Sequence, residues 1–183
     1  MAAHIHILGI SGSLRAGSLN TALLRNAQAM LPQDASLEIA DLSGIPLFNQ
    51  DLEQDPPAAV HEFKARIAGA DALLFAVPEY NYSIPGVLKN AIDWASRPMA
   101  TQPFNNKPAA VVGAGGRFGT VRAQLHFRQI GTYLNLQLLQ KPELMIPLAH
   151  QRFDAQGVLT DQEVRDQLKA LMDALVAWAK RWR

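Results

Sequence analysis

The sequence predicts an α/β fold, a parallel sheet covered by helices on both faces, and three observations predict it. Strand-like apolar runs alternate with segments of helical period along the whole chain. The runs are continuously apolar, as in strands buried on both sides, rather than alternately polar. Three loops that follow such runs, 11–21, 78–83 and 113–119, are rich in glycine and polar side chains. In open parallel sheets ligands sit beyond the carboxyl ends of strands, where strand order reverses. With strand order 2-1-3-4-5 the three loops are neighbours. The 183 residues suit one domain over 1–183, and a 49% hydrophobic content supplies a core.

Taken in order, the first strand is expected over His4–Ile10, from its β-branched residues. The helix Leu19–Met30 follows, with Leu23, Leu24, Ala27 and Leu31 on one face and Pro32 as its stop. Leu37–Ala40 reads as a short second strand. Asp41–Pro57, with three prolines and scattered acids, reads as a long loop, and loops of that length are often functional. Val60, Phe63 and Ile67 mark a second helix, and Asp71–Val77 a buried third strand. A helix over Pro85–Ser96 turns Leu88, Ala91, Ile92 and Ala95 inward, with Pro85 in its first turn. Pro98–Pro108 is a connection, and Ala109–Val112 a fourth strand. Val121, Leu125 and Ile130 mark the next helix. Leu136–Leu139 and Leu144–Ile146 read as a fifth strand in pieces. The last helix opens on Thr160 and Glu163 as a capping box and carries Val164, Leu168, Leu171, Met172, Leu175 and Val176 on one stripe. Lys180, Arg181 and Arg183 stand where cations suit the helix dipole.

Function is written most densely in Gly9–Thr21. Between a strand and a helix start it collects Ser11, Ser13, Ser18, Asn20, Thr21, Arg15 and three glycines. One helix cap needs one such residue. Hydroxyls, a forked cation and the unpaired N–H groups of a helix N-terminus together describe a phosphate socket. Pro78-Glu79-Tyr80-Asn81-Tyr82-Ser83 then offers main-chain groups and two aromatic rings as a cradle for a flat ring. Gly113, Gly115 and Gly116 leave room for such a ring to approach the backbone.

The segments Gly-Ser-Leu-Arg-Ala-Gly-Ser-Leu-Asn (12–20), Pro-Glu-Tyr-Asn-Tyr-Ser-Ile-Pro-Gly-Val-Leu-Lys-Asn-Ala-Ile-Asp-Trp (78–94) and the glycine loop after the fourth strand resemble the NAD(P)H-dependent FMN reductase family, which includes quinone, chromate and azo-dye reductases. The likeness covers nearly the whole chain. It implies a flavodoxin-like, three-layer fold with a five-stranded parallel sheet and one FMN-binding domain. It implies that Ser13, Arg15, Ser18, Asn20, Thr21 and the amide of Leu19 hold the FMN phosphate. Pro78, Glu79, Tyr80, Asn81 and Ser83 would flank the isoalloxazine, with Gly113, Ala114, Gly115 and Gly116 on its other side. Relatives that carry a hydroxyl near position 114 differ from this chain, where only backbone is present. NADPH or NADH would supply hydride to the flavin, and a small electron acceptor such as a quinone, free flavin, chromate or an azo or nitro compound would then take the same place, a ping-pong exchange. No protein group is required as a catalytic residue. Members are dimers or tetramers, so a homodimer or homotetramer is expected.

Other classes fit less well. The first loop lacks Gly-x-Gly-x-x-Gly, although Glu38 or Asp41 lies where a ribose ligand would be in a dinucleotide-binding fold; Gly113-Ala114-Gly115 starts that pattern, but Phe118 takes the third glycine's place. No Gly-Lys-Ser/Thr marks a P-loop. A non-catalytic electron carrier or flavin-binding module of flavodoxin type is the remaining alternative, but flavodoxins are strongly acidic and the net charge here is +1. That balance, with no basic stripe, predicts no nucleic-acid partner. Five scattered histidines and no cysteine predict no metal site, and the lack of cysteine suits a reducing compartment. His126 is expected within a helix. No membrane span or signal peptide is read, so a cytoplasmic protein is expected. Arg117 would meet a 2′-phosphate or simply face solvent.

Overall fold

Every strand in the sheet runs parallel to its neighbours, in the order β2-β1-β3-β4-β5, with β6 also beside β4. The computed structural model describes residues 4–183. Its elements are β1 (Ile5–Ser11), α1 (Leu19–Ala29), β2 (Ala35–Ala40), α2 (Ala58–Gly69), β3 (Ala72–Ala76), α3 (Gly86–Ala95), β4 (Pro108–Ala114), α4 (Val121–Tyr133), β5 (Gln137–Leu138), β6 (Leu144–Ile146) and α5 (Gln162–Arg181). The order predicted from the sequence is the order observed.

The strand side chains divide between two cores. Ile5 and Ile7 of β1, Leu74 of β3 and Val112 of β4 face α1 and α5. Leu8, Ile10, Leu73, Phe75, Ala109 and Val111 face α2, α3 and α4. Within each strand successive residues thus enter opposite cores, and both cores are apolar. That is why the strands read as unbroken apolar runs. Removing a fully buried leucine or isoleucine from water contributes about 1.5–3 kcal/mol each, so these runs dominate the fold's stability.

The fifth strand is indeed in pieces. β5 pairs with Pro108 and Ala109 at the start of β4, and β6 pairs with Val112–Ala114 at its end. The Asp41–Pro57 loop, with a 3₁₀ turn at Gln50–Leu52, is fixed to α3. The indole N–H of Trp94 and the amide of Asn90 both donate to the Pro46 carbonyl at 2.8 Å, and the Phe48 N–H donates to Asn90 Oδ1 at 2.7 Å.

Three local expectations need correction. The last helix is capped by Asp161, whose Oδ1 accepts from the Val164 N–H at 3.0 Å; Thr160 instead donates its hydroxyl to the Arg152 carbonyl, so no Thr160–Glu163 box forms. Pro85 stands just before α3 as its cap residue. On α4, Val121 and Leu125 face solvent while Ala123, Gln124 and Phe127 face the core; a three-and-four spacing marks an apolar stripe without saying what covers it.

Candidate functional site

The carboxyl ends of β1, β3, β4 and β6 open on one side of the sheet, and the segments leaving them surround a cleft of about 340 Å³. Ser13, Arg15, Ser18, Leu19 and Asn20 form its first wall, Pro78, Glu79 and Tyr80 the second, Ala114, Gly115 and Gly116 the third, and Ala149 and His150 the fourth.

The first wall is the head of α1. Ser18 is extended at φ −70°, ψ 122°, and its Oγ accepts from the Thr21 N–H at 3.3 Å. The first intrahelical bond runs from the Ala22 N–H to the Ser18 carbonyl. The Leu19 and Asn20 N–H groups precede it and have no intrahelical acceptor, which leaves donors and the positive end of the helix dipole facing outward. Arg15 curls back over this end, donating from Nη2 to the Gly17 carbonyl at 2.7 Å, and its N–H donates to Ser13 Oγ at 3.3 Å. Its guanidinium stays exposed and meets no carboxylate among the described residues. Such a wall attracts a dianionic phosphate.

Two residues assigned from sequence to a phosphate have other work for their side chains. The Asn20 amide is buried, donating from Nδ2 to the Ala114 carbonyl at 2.8 Å and accepting the Ala114 N–H at Oδ1 at 3.0 Å. It acts as a peptide would in a neighbouring strand, and only its main-chain N–H remains for a ligand. The Thr21 hydroxyl lies 2.7 Å from that of Ser11 and lines a separate hollow toward β2. Ser11, buried at the end of β1, is thus a brace for the loop.

The second wall is a tight turn. Tyr80 and Ser83 exchange both main-chain hydrogen bonds at 3.0 Å. Between them Asn81 and Tyr82 have φ of 51° and 66°, the pair of positive values that a type I′ turn requires. A tyrosine rarely adopts that region, and the cost of order 1 kcal/mol is typical of residues held for a binding purpose. Glu79 anchors the turn. Its carboxylate accepts from the Arg122 and Ala123 N–H groups at 2.9 and 3.2 Å and from Arg122 Nε at 2.6 Å, and it lies 2.5 Å from Arg122 Nη2. Its side-chain oxygens therefore cap α4 and are committed there, so that Glu79 borders the cleft without offering its carboxylate, while the Arg122 guanidinium lies 3.7 Å above the Tyr82 ring. Ser83 Oγ is 3.0 Å from His126 Nδ1, which stands on α4 as expected. Asn81 lines an adjoining hollow, so neither Asn81 nor Ser83 faces the cleft.

In the third wall the glycines differ. Gly113 belongs to β4 and points inward: a Cβ there would sit 2.0 Å from Thr120 Oγ1 and 2.7 Å from the Val77 carbonyl. It lets β4 and the start of α4 approach each other, and does not line the cleft. A Cβ on Gly116 would meet nothing within 4 Å, so this is the position where a flat group has open access to backbone. The fourth wall was not anticipated. The Leu148 and Ala149 N–H groups donate to the Gly116 and Gly115 carbonyls at 2.8 and 2.9 Å, which brings His150 to the rim. Its signal was the strand-end rule applied to the broken fifth strand. Among the described residues no cluster of histidine or acidic side chains could hold a metal ion, and no helix is long and apolar enough to cross a membrane.

A family model described as NADPH-dependent FMN reductase matches residues 5–151. The chain is 54% identical over 185 residues to a protein of Pseudomonas aeruginosa named NAD(P)H-dependent FMN reductase, covering 100% of both. It is 41% identical over 177 residues to a 2-hydroxy-1,4-benzoquinone reductase of a Burkholderia species, covering 96% of this chain and 97% of that one. Its fold is similar to that of the flavoenzyme NAD(P)H:(acceptor) oxidoreductase FerB of Paracoccus denitrificans, with a TM-score of 0.87 and 33% identity over 97% of this chain and 98% of the other.

Proposed function

The chain belongs to the NADPH-dependent FMN reductase family, and from that premise we propose that it is an FMN-dependent oxidoreductase that takes hydride from NADH or NADPH and reduces quinones or other small acceptors, donor and acceptor using one open face in turn. The observation that carries this reading is the convergence, in one cleft, of the outward Leu19 and Asn20 N–H groups and Arg15 with the uncovered backbone at Gly116. The first set fits a phosphate and the second fits a flat ring.

FMN fits these residues. Ser13, Arg15, Ser18 and the amides of Leu19 and Asn20 would hold its phosphate, and Pro78, Glu79, Tyr80 and the Ala114–Gly116 backbone would flank its ring system. When bound, it would supply hydride-accepting redox chemistry, which the side chains of this cysteine-free chain lack. The chain's own contribution is placement. Arg15 offsets the phosphate charge. Asn20 fixes the third wall against the first, and Glu79 fixes the second wall against α4. The polar side chains that line the walls are mostly bonded to protein, and the cleft is open enough to admit acceptors of different shape. The compartment this reading implies is the cytoplasm, where reduced nicotinamide is produced.

A homodimer or homotetramer forms part of the same proposal. Val121, Leu125 and Tyr133 lie along the outer face of α4, and Met99 is beside Tyr133, its sulfur 3.7 Å from the phenol oxygen; all four are exposed. A second copy of the chain would cover this apolar stripe. Sedimentation of the purified protein checks it: an assembly that Leu125→Glu converts to monomer is expected.

The main test is reconstitution. Protein incubated with FMN and passed through a desalting column is expected to retain flavin absorbance and to oxidise NADPH or NADH when a quinone is added. A folded protein that emerges colourless refutes the proposal.

A further inference from the structure

Beyond Gly116 the cleft continues into a second hollow. The two share Glu79 and Gly116, and the second is also lined by Asn81, Tyr82, Arg117, Phe118 and Arg122. Its charges are unequal. Arg122 is held by the Glu79 carboxylate through Nε and Nη2 and covered by Tyr82 on one face. Arg117 has no acidic partner among the described residues; its nearest aromatic neighbour is Phe118, with the guanidinium carbon 5.4 Å from the ring centre. Tyr82 and Phe118 are 66% and 58% exposed, unusually open for rings on either side of a charged group.

We propose that this hollow is the subsite for the phosphoadenosine end of NADPH, with Arg117 on the 2′-phosphate and Phe118 against the adenine. The inference rests on the reading of the cleft as a flavin and nicotinamide site. A dinucleotide whose nicotinamide occupies the cleft must lead its other end out past one of the walls, and the cleft meets the second hollow at Gly116, where a Cβ would touch nothing within 4 Å. An adenine presents a flat aromatic face, which an exposed phenyl ring accepts. A monoester phosphate presents several oxygens to a guanidinium, which binds them as a planar fork. Arg122 is already neutralised, so the unpaired charge at Arg117 gives the hollow its preference for an anion. NADH has a hydroxyl at that position and gains nothing from this charge. The chain is therefore selective for NADPH over NADH, and Arg117 is the residue that sets the selectivity.

The test compares adenosine 2′,5′-bisphosphate with adenosine 5′-monophosphate as calorimetric ligands for flavin-loaded and flavin-free protein. The bisphosphate is expected to bind about tenfold tighter, the scale of one charge-assisted contact. Arg117→Ala removes that difference and Arg117→Lys restores part of it. In turnover, Arg117→Ala lowers the ratio of kcat/KM for NADPH to that for NADH by about tenfold through the NADPH KM, with flavin content unchanged. Equal binding of the two nucleotides to the parent protein overturns the subsite, as does an Arg117→Ala loss of the same size for NADPH and NADH. Failure to retain FMN would instead strike the proposed function, and the nucleotide comparison on flavin-free protein remains readable in that case.

Discussion

The two ends of the sheet use their polar groups in opposite ways. At the amino ends of the strands the groups are bonded to one another. The Asp71 carboxylate accepts the His6 N–H at 2.8 Å and two bonds from Arg183, at 2.9 and 2.8 Å, and Arg183 also donates to the His4 carbonyl. Lys180 meets Asp34 at 2.7 Å. Lys107 donates to the carbonyls of Ala68 and Ala70 where α2 ends, and burial pushes its ammonium below the usual lysine range. At the carboxyl ends the helix-head N–H groups lack intrahelical acceptors, Arg15 and Arg117 have no acidic partner among the described residues, and two consecutive side chains sit at positive φ. One end closes the fold and the other keeps donors available. Substitutions at the two ends should therefore have separable consequences.

The largest effect is expected where that separation fails, at Gly113. It lies at the carboxyl end of the sheet but its missing side chain serves packing, because a Cβ would collide with Thr120 Oγ1 and the Val77 carbonyl. Gly113→Ala is expected to cost about 3 kcal/mol, the upper part of the usual overpacking range, measured as a lower denaturation midpoint in the absence of flavin. Arg15→Ala comes next and follows the rule for its end. It should raise the FMN dissociation constant by about 10- to 100-fold, the loss of a charged hydrogen bond, and leave the flavin-free melting temperature in place. A matching fall in stability would erase the distinction. Asp71→Ala is the converse, with about 1–2 kcal/mol of stability lost from the unpaired His6 N–H and Arg183 and flavin affinity preserved.

The smallest effect is on acid. The Lys180 hydrogen bond holds the Asp34 carboxyl below the usual aspartate range, and the Val164 N–H, followed by Arg152, does the same for Asp161. A carboxylate whose folded pKa is lower than its unfolded one stabilises the fold fully above the ordinary aspartate value, and the gain is lost as pH falls through that value toward the folded one. Both groups are at the surface, so a shallow slope is expected. Melting temperatures recorded on the acid side should fall less steeply in an Asp34→Asn, Asp161→Asn double variant than in the parent. An unchanged slope would remove these two pairs from the account.

The central strands were legible because β3 and β4 are buried on both faces, so Asp71–Val77 could hardly read otherwise, whereas edge strand β2 exposes Glu38. The helices were legible in place but less so in orientation. Leu125 has core-like spacing and an exposed side chain, since periodicity does not distinguish a core from a face awaiting a partner. Thr160 and Asp161 are both residue types that cap helices, and the path of the chain past Arg152, which takes up the Thr160 hydroxyl, leaves Asp161 as the cap. At the site, Ser13, Arg15 and Ser18 line the cleft together because they belong to one loop. Asn20 acts on Ala114, 94 residues away in the chain, and Glu79 on Arg122, 43 residues away. A polar side chain with a distant main-chain partner looks, in a sequence, the same as one waiting for a ligand. His150 gave no signal of its own and reached the rim only because Leu148 and Ala149 are pinned to the glycine loop.

The two-way grip of Asn20 on Ala114 bears on any attempt to engineer chimeras from such reductases. A graft that exchanges only the stretch before the helix leaves the grip in place, so the transplanted segment lands on an unaltered foundation. A graft that carries a different residue into position 20 cuts the tie between the head of α1 and the end of β4 at once, and two parts of the molecule that share no stretch of sequence would drift from alignment together.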